Sequence, residues 1–421
     1  MNTGISSLFF TSCHKIALVA ELDRIIYPEL DTDLAYGRDL EGNELFLEPT
    51  PSAVNVTPAY HVWVKPLDWS RARGFYSTAF TLTLTNPSAG ATLLYALDGS
   101  TPALPYTNGL AITGTKVVRL QAVRAGYKPA RIQTKTCLFV EDVITSAVMN
   151  TAITQNPAYA ARMKPGLLAL PSVSISVAGE PQYEEKEGSL EILWPGAGNP
   201  VQVNCGISHF GNAWTKFAKR SIRMKCRARY GETRLSAPLF IGFDRGVLAT
   251  TSFDDLDFRS GSQDMNERGF YMAGRFVEDS VLDMGSLNPH GRFVHLYVNA
   301  VYWGQYDCRE LLVEPCLADY LGGAKEDYVV VRGNDNVSDD FVLGTPEPPN
   351  IQPWETTRSL KSFYNGVRSR LDVSHLLDFM LRWNYGNCES EYRGCGIVNP
   401  GSGFKFWSPM RTASCGPARW A

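Results

Sequence analysis

Apolar and polar residues alternate along several short stretches of the first half of the chain. Phe80–Thr85 alternates with period two, and Thr92–Leu97 runs directly into Asp98-Gly99. A period of two places successive side chains on opposite faces of a strand, and Asp-Gly is typical of a hairpin turn because both positions accept a positive φ. Val117–Val123 predicts another strand. Short strands at this spacing predict a small all-β sandwich over residues 75–140.

The bulk composition indicates a multidomain globular protein. At 421 residues the chain exceeds one ordinary hydrophobic core, and 20% charged and 44% hydrophobic residues exclude a disordered chain. A net charge of −3 gives no support to a nucleic-acid partner or an anionic membrane surface. No run reaches the roughly 18 uncharged apolar residues of a membrane span. We therefore expect no membrane span and no nucleic-acid partner.

The N-terminal segment, residues 1–57, reads as short strands broken by turns. Tyr36-Gly37-Arg38, Glu41-Gly42 and Pro49-Thr50-Pro51 resemble the last strands of a bacterial lamin-tail-like domain. The first strands of such a domain are missing, so the segment is predicted to be its C-terminal remnant. Residues 1–21 have no basic region before their apolar stretch and form no convincing signal peptide. The chain is thus expected to begin inside a longer parent.

The predicted sandwich carries a recognisable pattern. Leu97–Pro102, Arg119, Ala122 and Gly126-Tyr127 resemble the chitobiase/β-hexosaminidase C-terminal module. That module is an accessory domain in its family. The resemblance implies turn and core roles for these residues and no chemistry.

After the sandwich the pattern changes to α+β. Residues 141–165 show helical spacing and are predicted to form a linker. The elements predicted beyond it are strands at Ser172–Val177, Gly291–Asn299 and Gln305–Glu310, a turn at Trp303-Gly304, a helix at Leu311–Leu321 closed by Gly322-Gly323, and a core strand at Phe404–Trp407.

Basic side chains are concentrated after the Gly206–Gly211 segment. Lys216, Lys219-Arg220 and the alternating pair Arg223 and Lys225 follow it. Basic groups beside a glycine-flanked turn are able to hold an anion such as phosphate. A solvated basic face is the alternative, and the residues alone leave both open.

The order of landmarks from 166 to 407 resembles the spore-coat-protein-H-type (CotH) kinase family. The landmarks are Phe217-x-Lys219-Arg220-Ser221-x-Arg223, Arg229-Tyr230-Gly231, Arg259-Ser260-Gly261-Ser262-Gln263-Asp264, Tyr297-Val298-Asn299, Tyr302-Trp303-Gly304-x-Tyr306 and Glu310. Ala300 departs from the pattern, since the family usually has Gly after the Asn. The resemblance implies an atypical kinase-like α+β domain that transfers the ATP γ-phosphoryl group to Ser of exported proteins. It implies ATP and Mg²⁺ as cofactors, and a secreted or cell-surface location.

The resemblance assigns roles to two residues of the ATP site. Lys219 would hold the ATP phosphates, since a lysine acts as a point charge on phosphate oxygens. Its alternative is a strand-edge lysine. Glu310 would lie near the adenine and ribose side of the cleft, and its alternative is a helix N-terminal acid.

Four further polar residues are assigned no part in the chemistry. Arg259 and Asp264 are predicted to be a structural pair, His295 a core histidine, and His209 an unoriented loop residue.

The catalytic acids are altered in this sequence. The family has a Gly-Asn-x-Asp loop, and here Glu389 and Glu391 stand near that place as the candidate catalytic residues. The Asp-x-Asp expected after Trp407 is replaced by Ser-Pro-Met-Arg. Permitted codons for residues 408–421, read after restoring one base, yield an Asp-x-Asp. We therefore expect a frameshifted tail, a domain incomplete at its C-terminus, no metal ligands and impaired catalysis.

Two other readings of function remain. The chain is alternatively a non-enzymatic secreted surface or matrix protein, or a carbohydrate-binding scaffold. The partner would then be an extracellular protein or glycan rather than a protein Ser substrate, and no ATP would be bound. The nine Cys are expected to be buried hydrophobes, or to pair as Cys308/Cys316 and Cys388/Cys395 if the protein is exported.

Overall fold

The computed structural model describes residues 35–39, 42–47, 49, 59–60, 62–64, 67–85, 88–196, 198–211, 217–243, 245–262, 264–265, 271–332, 356–357, 359–360, 362–385, 393–397 and 403–407. These residues are mostly β-structure with few helices. The chain divides into two compact units. The first unit comprises residues 1–208, 226–233 and 295–304, and the second comprises 209–225, 234–294 and 305–421.

Short strands make up the described residues that precede the first helix. In chain order they are β1 (Ala35–Arg38), β2 (Glu44–Leu47), β3 (Ala59–Tyr60), β4 (Val62–Trp63), β5 (Asp68–Trp69), β6 (Gly74–Phe75), β7 (Phe80–Leu82), β8 (Leu84–Thr85), β9 (Thr92–Ala96), β10 (Leu104–Pro105), β11 (Leu110–Ile112), β12 (Lys116–Val123), β13 (Tyr127–Lys128) and β14 (Gln133–Leu138). Strands β1, β2 and β3 form a small antiparallel sheet.

The all-β character predicted for residues 75–140 is confirmed. Strands β10, β9, β12, β14 and β6 form a five-stranded sheet, and β7 pairs with β11 in a second sheet. Leu82 and Ile112 of the second sheet share one core with Leu120 of the first. Burial of these alternating side chains accounts for the period of two in the sequence.

The hairpin predicted at Asp98-Gly99 has a longer connection than a two-residue turn. Strands β9 and β10 are antiparallel and are joined by residues 97–103. The Asp98 carboxylate accepts a hydrogen bond from the Ser100 backbone N–H at 3.0 Å, and Gly99 has φ +82°. The side chain of Asp98 therefore shapes a wider loop, and Gly99 supplies its left-handed residue.

The segment predicted as a helical linker is helical. It contains α1 (Val140–Thr145), α2 (Thr151–Thr154) and α3 (Pro157–Leu167). Asn150 and Asn156 cap the second and third helices through their side chains, which accept hydrogen bonds from backbone N–H groups.

Seven strands after these helices form a closed barrel in the order β15-β16-β17-β18-β21-β23-β22. The elements of this region are β15 (Ser172–Val177), β16 (Lys186–Leu193), β17 (Val201–Phe210), β18 (Ser221–Lys225), β19 (Leu235–Ser236), β20 (Ser252–Phe253), β21 (Asp255–Arg259), α4 (Ala273–Asp283), β22 (Gly291–Val298) and β23 (Val301–Glu310). Ser172–Val177 alternates in sequence, yet every residue of β15 is buried. The region predicted to be α+β is thus mostly β-structure, a seven-stranded barrel accompanied by few helices.

The turn between β22 and β23 lies at Asn299-Ala300 rather than at the predicted Trp303-Gly304. Asn299 has φ 50° and Ala300 has φ 68°. A two-residue hairpin with both central residues at positive φ matches the twist of its strands. The Asn299 side chain also accepts from the Val177 N–H at 3.0 Å and donates to the Val177 carbonyl at 2.8 Å. These bonds stabilise the turn although Ala300 has a positive φ, which is unfavourable for alanine.

The C-terminal described segments belong to the second unit. They comprise α5 (Glu314–Leu321), a 3₁₀ turn (Lys325–Asp327), β24 (Tyr328–Arg332), α6 (Tyr364–Arg368), α7 (Val373–Tyr385), β25 (Arg393–Ile397) and β26 (Lys405–Trp407). The helix predicted at Leu311–Leu321 begins at Glu314 and ends at Leu321, and its C-cap residue Gly322 has φ 82°. Trp407 is buried with Leu317 and Tyr328, so the predicted core strand is confirmed. No described helix is long and apolar enough to cross a membrane.

Candidate active site around Lys219

Lys219 lies in the connection that leads into β18 and is half-buried. Its ammonium donates a hydrogen bond to the backbone carbonyl of Gln305 on β23. The same ammonium lies 4.5 Å from the ring centroid of Tyr306 and 5.1 Å from that of Tyr271. The site is therefore a cation held against two aromatic rings, a geometry that is attractive in itself.

The charge of Lys219 has no counter-ion among the described residues. None of their carboxylates lies within ion-pair distance of its ammonium, and burial lowers the pKa of Lys219 to about 8. At pH 7 roughly nine-tenths of the side chains still carry the charge. A partly desolvated cation without a carboxylate is suited to an anion supplied from outside.

The two tyrosines beside Lys219 are fixed by their own contacts. Tyr306 is fully buried, and its hydroxyl donates to the Arg220 carbonyl at 3.0 Å. The Tyr271 hydroxyl donates to the Gln305 carbonyl, and its ring stacks on Phe293 at 5.5 Å between centroids. The rings thus form rigid walls and do not need to be ordered when a ligand binds.

The Arg-Ser-Gly-Ser motif forms the loop that anchors the Lys219 backbone. The Ser262 hydroxyl donates to the Lys219 carbonyl. Gly261 has φ +67°, and a Cβ at this position would come within 2.2 Å of the Tyr271 ring. Only glycine fits this place. Arg259 forms an ion pair with Asp264 across the same loop, as predicted.

The other basic residues of this strand form neither a solvated face nor a group of free cations. Arg223 is buried and forms two hydrogen bonds with Asp257, at 2.6 and 3.0 Å. Lys225 is buried as well, and Lys216 lies outside the described residues. Arg223 and Lys225 do alternate along the strand, but Asp257 already neutralises the charge of Arg223. Lys219, in contrast, has no carboxylate partner among the described residues and is suited to an added anion.

Glu310 ends β23 in a fully buried cluster. Its carboxylate accepts from the His290 backbone N–H at 2.8 Å, from His290 Nδ1 at 3.0 Å and from the Tyr320 hydroxyl. Burial opposes protonation of His290, but the hydrogen bond and charge of Glu310 outweigh it and raise the pKa of His290. The carboxylate of Glu310 is therefore satisfied inside the protein.

Lys219 and Glu310 are not brought into contact. Lys219 is bonded at Gln305. Glu310 lies five residue steps further along the strand, which corresponds to about 16 Å. Tyr306, which contacts Lys219, and Glu310 both belong to β23. They lie on the same face of the strand because they are four residues apart. The strand therefore places Lys219 beside its middle and Glu310 at its C-terminal end.

A further acid, Glu278 on α4, lies in a buried ionic cluster. Its carboxylate is 2.7 Å from Arg309 and 3.0 Å from Arg275. Asp307 belongs to the same cluster, and burial raises its pKa to about 6. Two arginines therefore neutralise the Glu278 carboxylate within this cluster.

The remaining predicted residues have varied outcomes. His295 is a buried histidine, as expected, bonded to Tyr302 and to the Gly166 carbonyl. His209 was predicted to be a loop residue, which is wrong. It is buried in β17, and its Nδ1 lies 3.2 Å from the Ser221 carbonyl oxygen.

Cys308 and Cys316 are free thiols, so their suggested pairing is absent, and Cys308 is a buried residue. Glu389 and Glu391 lie outside the described residues, as do Cys388 and the tail from 408 to 421. Within the described residues, no group of three or more His, Cys, Asp and Glu is placed to hold a metal.

Sequence reasoning located Lys219 but not what surrounds it. Tyr271 lies seven residues beyond Asp264, in a segment without a clear pattern, and no sequence signal connects it with Lys219. Tyr306 lies in a predicted strand of alternating pattern. The pattern predicts that its side chain is buried, but not that it contacts Lys219. The partners of Glu310, His290 and Tyr320, likewise follow only from the tertiary structure.

Comparison with known proteins identifies one part of the chain. The family model described as chitobiase/beta-hexosaminidase C-terminal domain matches residues 71–134. A search of the curated proteins found no match to the chain. The matched residues include β6 to β13 and the core residues Leu82 and Leu120. The chain therefore contains a module similar to the chitobiase/beta-hexosaminidase C-terminal domain.

Proposed function

We propose that this chain is a CotH-type kinase homologue in which Lys219 binds the phosphates of ATP and in which phosphoryl transfer is weak or absent. The observation that supports the proposal is the environment of Lys219. Its ammonium is partly desolvated, held by a backbone carbonyl and two tyrosine rings, and without a carboxylate partner among the described residues.

A phosphate fits this environment for electrostatic reasons. Burial disfavours the free ammonium, as the lowered pKa of about 8 indicates. An adjacent phosphate would restore a favourable charge balance, and its attraction is stronger where water is partly excluded. Lysine also suits the spread negative charge of a triphosphate because it acts as a point charge. Lys219 would thus hold and orient the nucleotide, and bound Mg²⁺ would neutralise phosphate charge.

Weak catalysis is expected from the sequence beyond the barrel. Glu389 and Glu391 stand where the family resemblance calls for an Asp. Ser-Pro-Met-Arg follows Trp407 where an Asp-x-Asp is expected to hold Mg²⁺. Phosphoryl transfer depends on the positioning of these carboxylates. A longer or missing acid therefore impairs the transfer more than it impairs nucleotide binding.

Nucleotide binding is tested by calorimetric titration of the full chain with ATP and Mg²⁺. Lys219→Ala is expected to weaken binding at least about tenfold, the loss of one charge-assisted contact. Lys135→Ala is the matched control, because Lys135 also donates to a backbone carbonyl, at 3.3 Å, and lies 4.7 Å from an aromatic centroid. Equal binding by wild type and Lys219→Ala would contradict the proposal, as would no binding at all.

Catalysis is tested separately with ATP labelled at the γ-phosphate. We expect no transfer of label to the chain itself or to a Ser-containing protein substrate. Autophosphorylation that requires Mg²⁺ and disappears in Lys219→Ala would show that the chain is an active kinase. That result would refute the predicted impairment while supporting the role of Lys219.

A further inference from the structure

The first unit contains a cleft that is lined by aromatic side chains. Its volume is about 340 Å³, and Phe75, Tyr76, Trp194 and Arg73 line it together with Gly198. The volume lies at the small end of the range of about 300–1,000 Å³ found for small-molecule sites. We call it the Trp194 cleft. It shares no residue with the Lys219 site.

The aromatic side chains of the Trp194 cleft are held by contacts within the first unit. The Tyr76 hydroxyl donates to the Ala72 carbonyl, and its ring packs against Phe80 at 4.5 Å between centroids. Phe75 lies in β6, which pairs with Leu138 of β14. These walls are therefore present before a ligand arrives, which reduces the entropy lost on binding.

Trp194 is positioned by the glycine that follows it on the same loop. A Cβ at Gly198 would come within 2.6 Å of Trp194 Cβ and 2.9 Å of its Cγ. The absence of a side chain at Gly198 allows the loop backbone to lie against the indole. Trp194 is half-buried, and its indole N–H has no hydrogen-bond partner among the described residues. The cleft thus contains an aromatic ring with a free donor at its edge.

Arg73 adds polar groups without a large net charge. Its Nε lies 2.7 Å from the Glu191 carboxylate, and its Nη2 donates to the Thr134 carbonyl at 3.1 Å. Nη1 has no partner among the described residues. Because Glu191 offsets the charge of Arg73, an anionic ligand gains little. A neutral ligand with oxygen acceptors is favoured instead.

We propose that the Trp194 cleft binds one neutral pyranose ring of a carbohydrate. The C–H face of such a ring carries partial positive charge and complements the negative face of an indole or phenol ring. Its hydroxyl or acetamido oxygens accept from the indole N–H of Trp194 and from the outer N–H groups of Arg73. A flat aromatic ligand would match the rings but leave these donors unpaired, which is unfavourable. The inference does not depend on ATP binding at Lys219.

The test uses the full chain labelled with 5-fluorotryptophan and observed by ¹⁹F NMR at pH 8. Burial raises the pKa of Glu191 to about 7, so at pH 8 this carboxylate is ionised and offsets the charge of Arg73. The probes are cellotriose and triacetylchitotriose, each to about 10 mM, which reaches millimolar dissociation constants. The resonance that disappears in Trp194→Phe is expected to move with at least one probe. The Trp69 resonance is the internal control, because its indole donates to Gln133 at 2.6 Å, and it is expected to stay unchanged.

Calorimetry with the same trisaccharides extends the test to affinity. Trp194→Ala is expected to weaken binding at least about tenfold, whereas Trp69→Phe leaves it within about twofold. If Trp194→Ala does not fold, the shift in the wild-type spectrum decides alone. The proposal is overturned if neither trisaccharide moves the Trp194 resonance, or if a proline-rich peptide moves it and no trisaccharide does.

Discussion

Replacing Lys219 with methionine is expected to change how the stability of the protein depends on pH. Burial lowers the pKa of Lys219 from 10.5 to about 8 in the folded state. The folded protein therefore releases this proton near pH 8, whereas the unfolded chain keeps it up to about pH 10.5. Between these values the unfolded state binds more protons, so the wild type gains stability as the pH rises. Methionine has a similar length and does not titrate.

The magnitude follows from the difference between the two pKa values. It is about 2.5 pH units, and each unit corresponds to about 1.4 kcal/mol. Below pH 8 the charge of Lys219 thus destabilises the folded state by about 3 kcal/mol relative to the neutral amine. The free energy of unfolding of Lys219→Met minus that of the wild type is expected to fall by about 3 kcal/mol between pH 7 and a pH just above 10.5.

Urea denaturation at a series of pH values measures this difference, and the other titrating groups cancel between the two proteins. Lys186→Met is the control, because Lys186 is half-buried as well and, within the described part of the chain, its ammonium bonds with backbone carbonyls alone. Its stability difference from the wild type is expected to stay constant. A Lys219→Met difference that does not vary with pH would show that the lysine is well solvated, and the reasoning about the site would be refuted.

Two further predictions concern the first unit. Ala300→Gly is expected to raise the free energy of unfolding by about 1 kcal/mol, because φ 68° strains an alanine. The control is Ala111→Gly, in a regular strand, which is expected to lower the free energy of unfolding by about 0.5–1 kcal/mol. A loss of stability in Ala300→Gly would contradict the prediction. Burial raises the pKa of Glu191 to about 7, so its contribution to stability is complete below about pH 4.5 and is lost as the pH rises through about 7. Relative to Glu191→Gln, the wild type is expected to lose about 3 kcal/mol between pH 4 and pH 8 in urea denaturation, and a constant difference would be the contrary result.

The strands were the most predictable part of this fold. Phe80–Leu82 and Val117–Val123 lie in strands because their apolar residues face one core, and the sequence records that burial directly as a period of two. The barrel was not predictable in the same way. Ser172–Val177 is buried on both faces, and which strand lies beside β15 depends on pairings far apart in the chain, such as Ser172 with His295.

The candidate site was predictable in one residue and not in its environment. A lysine in a basic stretch is visible in the sequence, but its lack of a counter-ion among the described residues depends on where Asp257 and Glu278 lie. Asp257 is bonded to Arg223, and Glu278 to Arg309. Of the contacts that the described residues offer, Lys219 is left with a carbonyl and two aromatic rings. Local sequence carries no record of such competition among charges.

The pKa of Lys219 in the presence of nucleotide tests the central claim most directly. It is measured by ¹³C NMR of lysine labelled at Cε, with Lys219→Ala to assign the resonance. Without nucleotide the pKa is expected near 8. With saturating ATP and Mg²⁺ it is expected to rise by at least about one pH unit, because an adjacent phosphate favours the charged amine. A pKa of Lys219 that stays near 8 when nucleotide is bound would contradict its proposed contact with the phosphates.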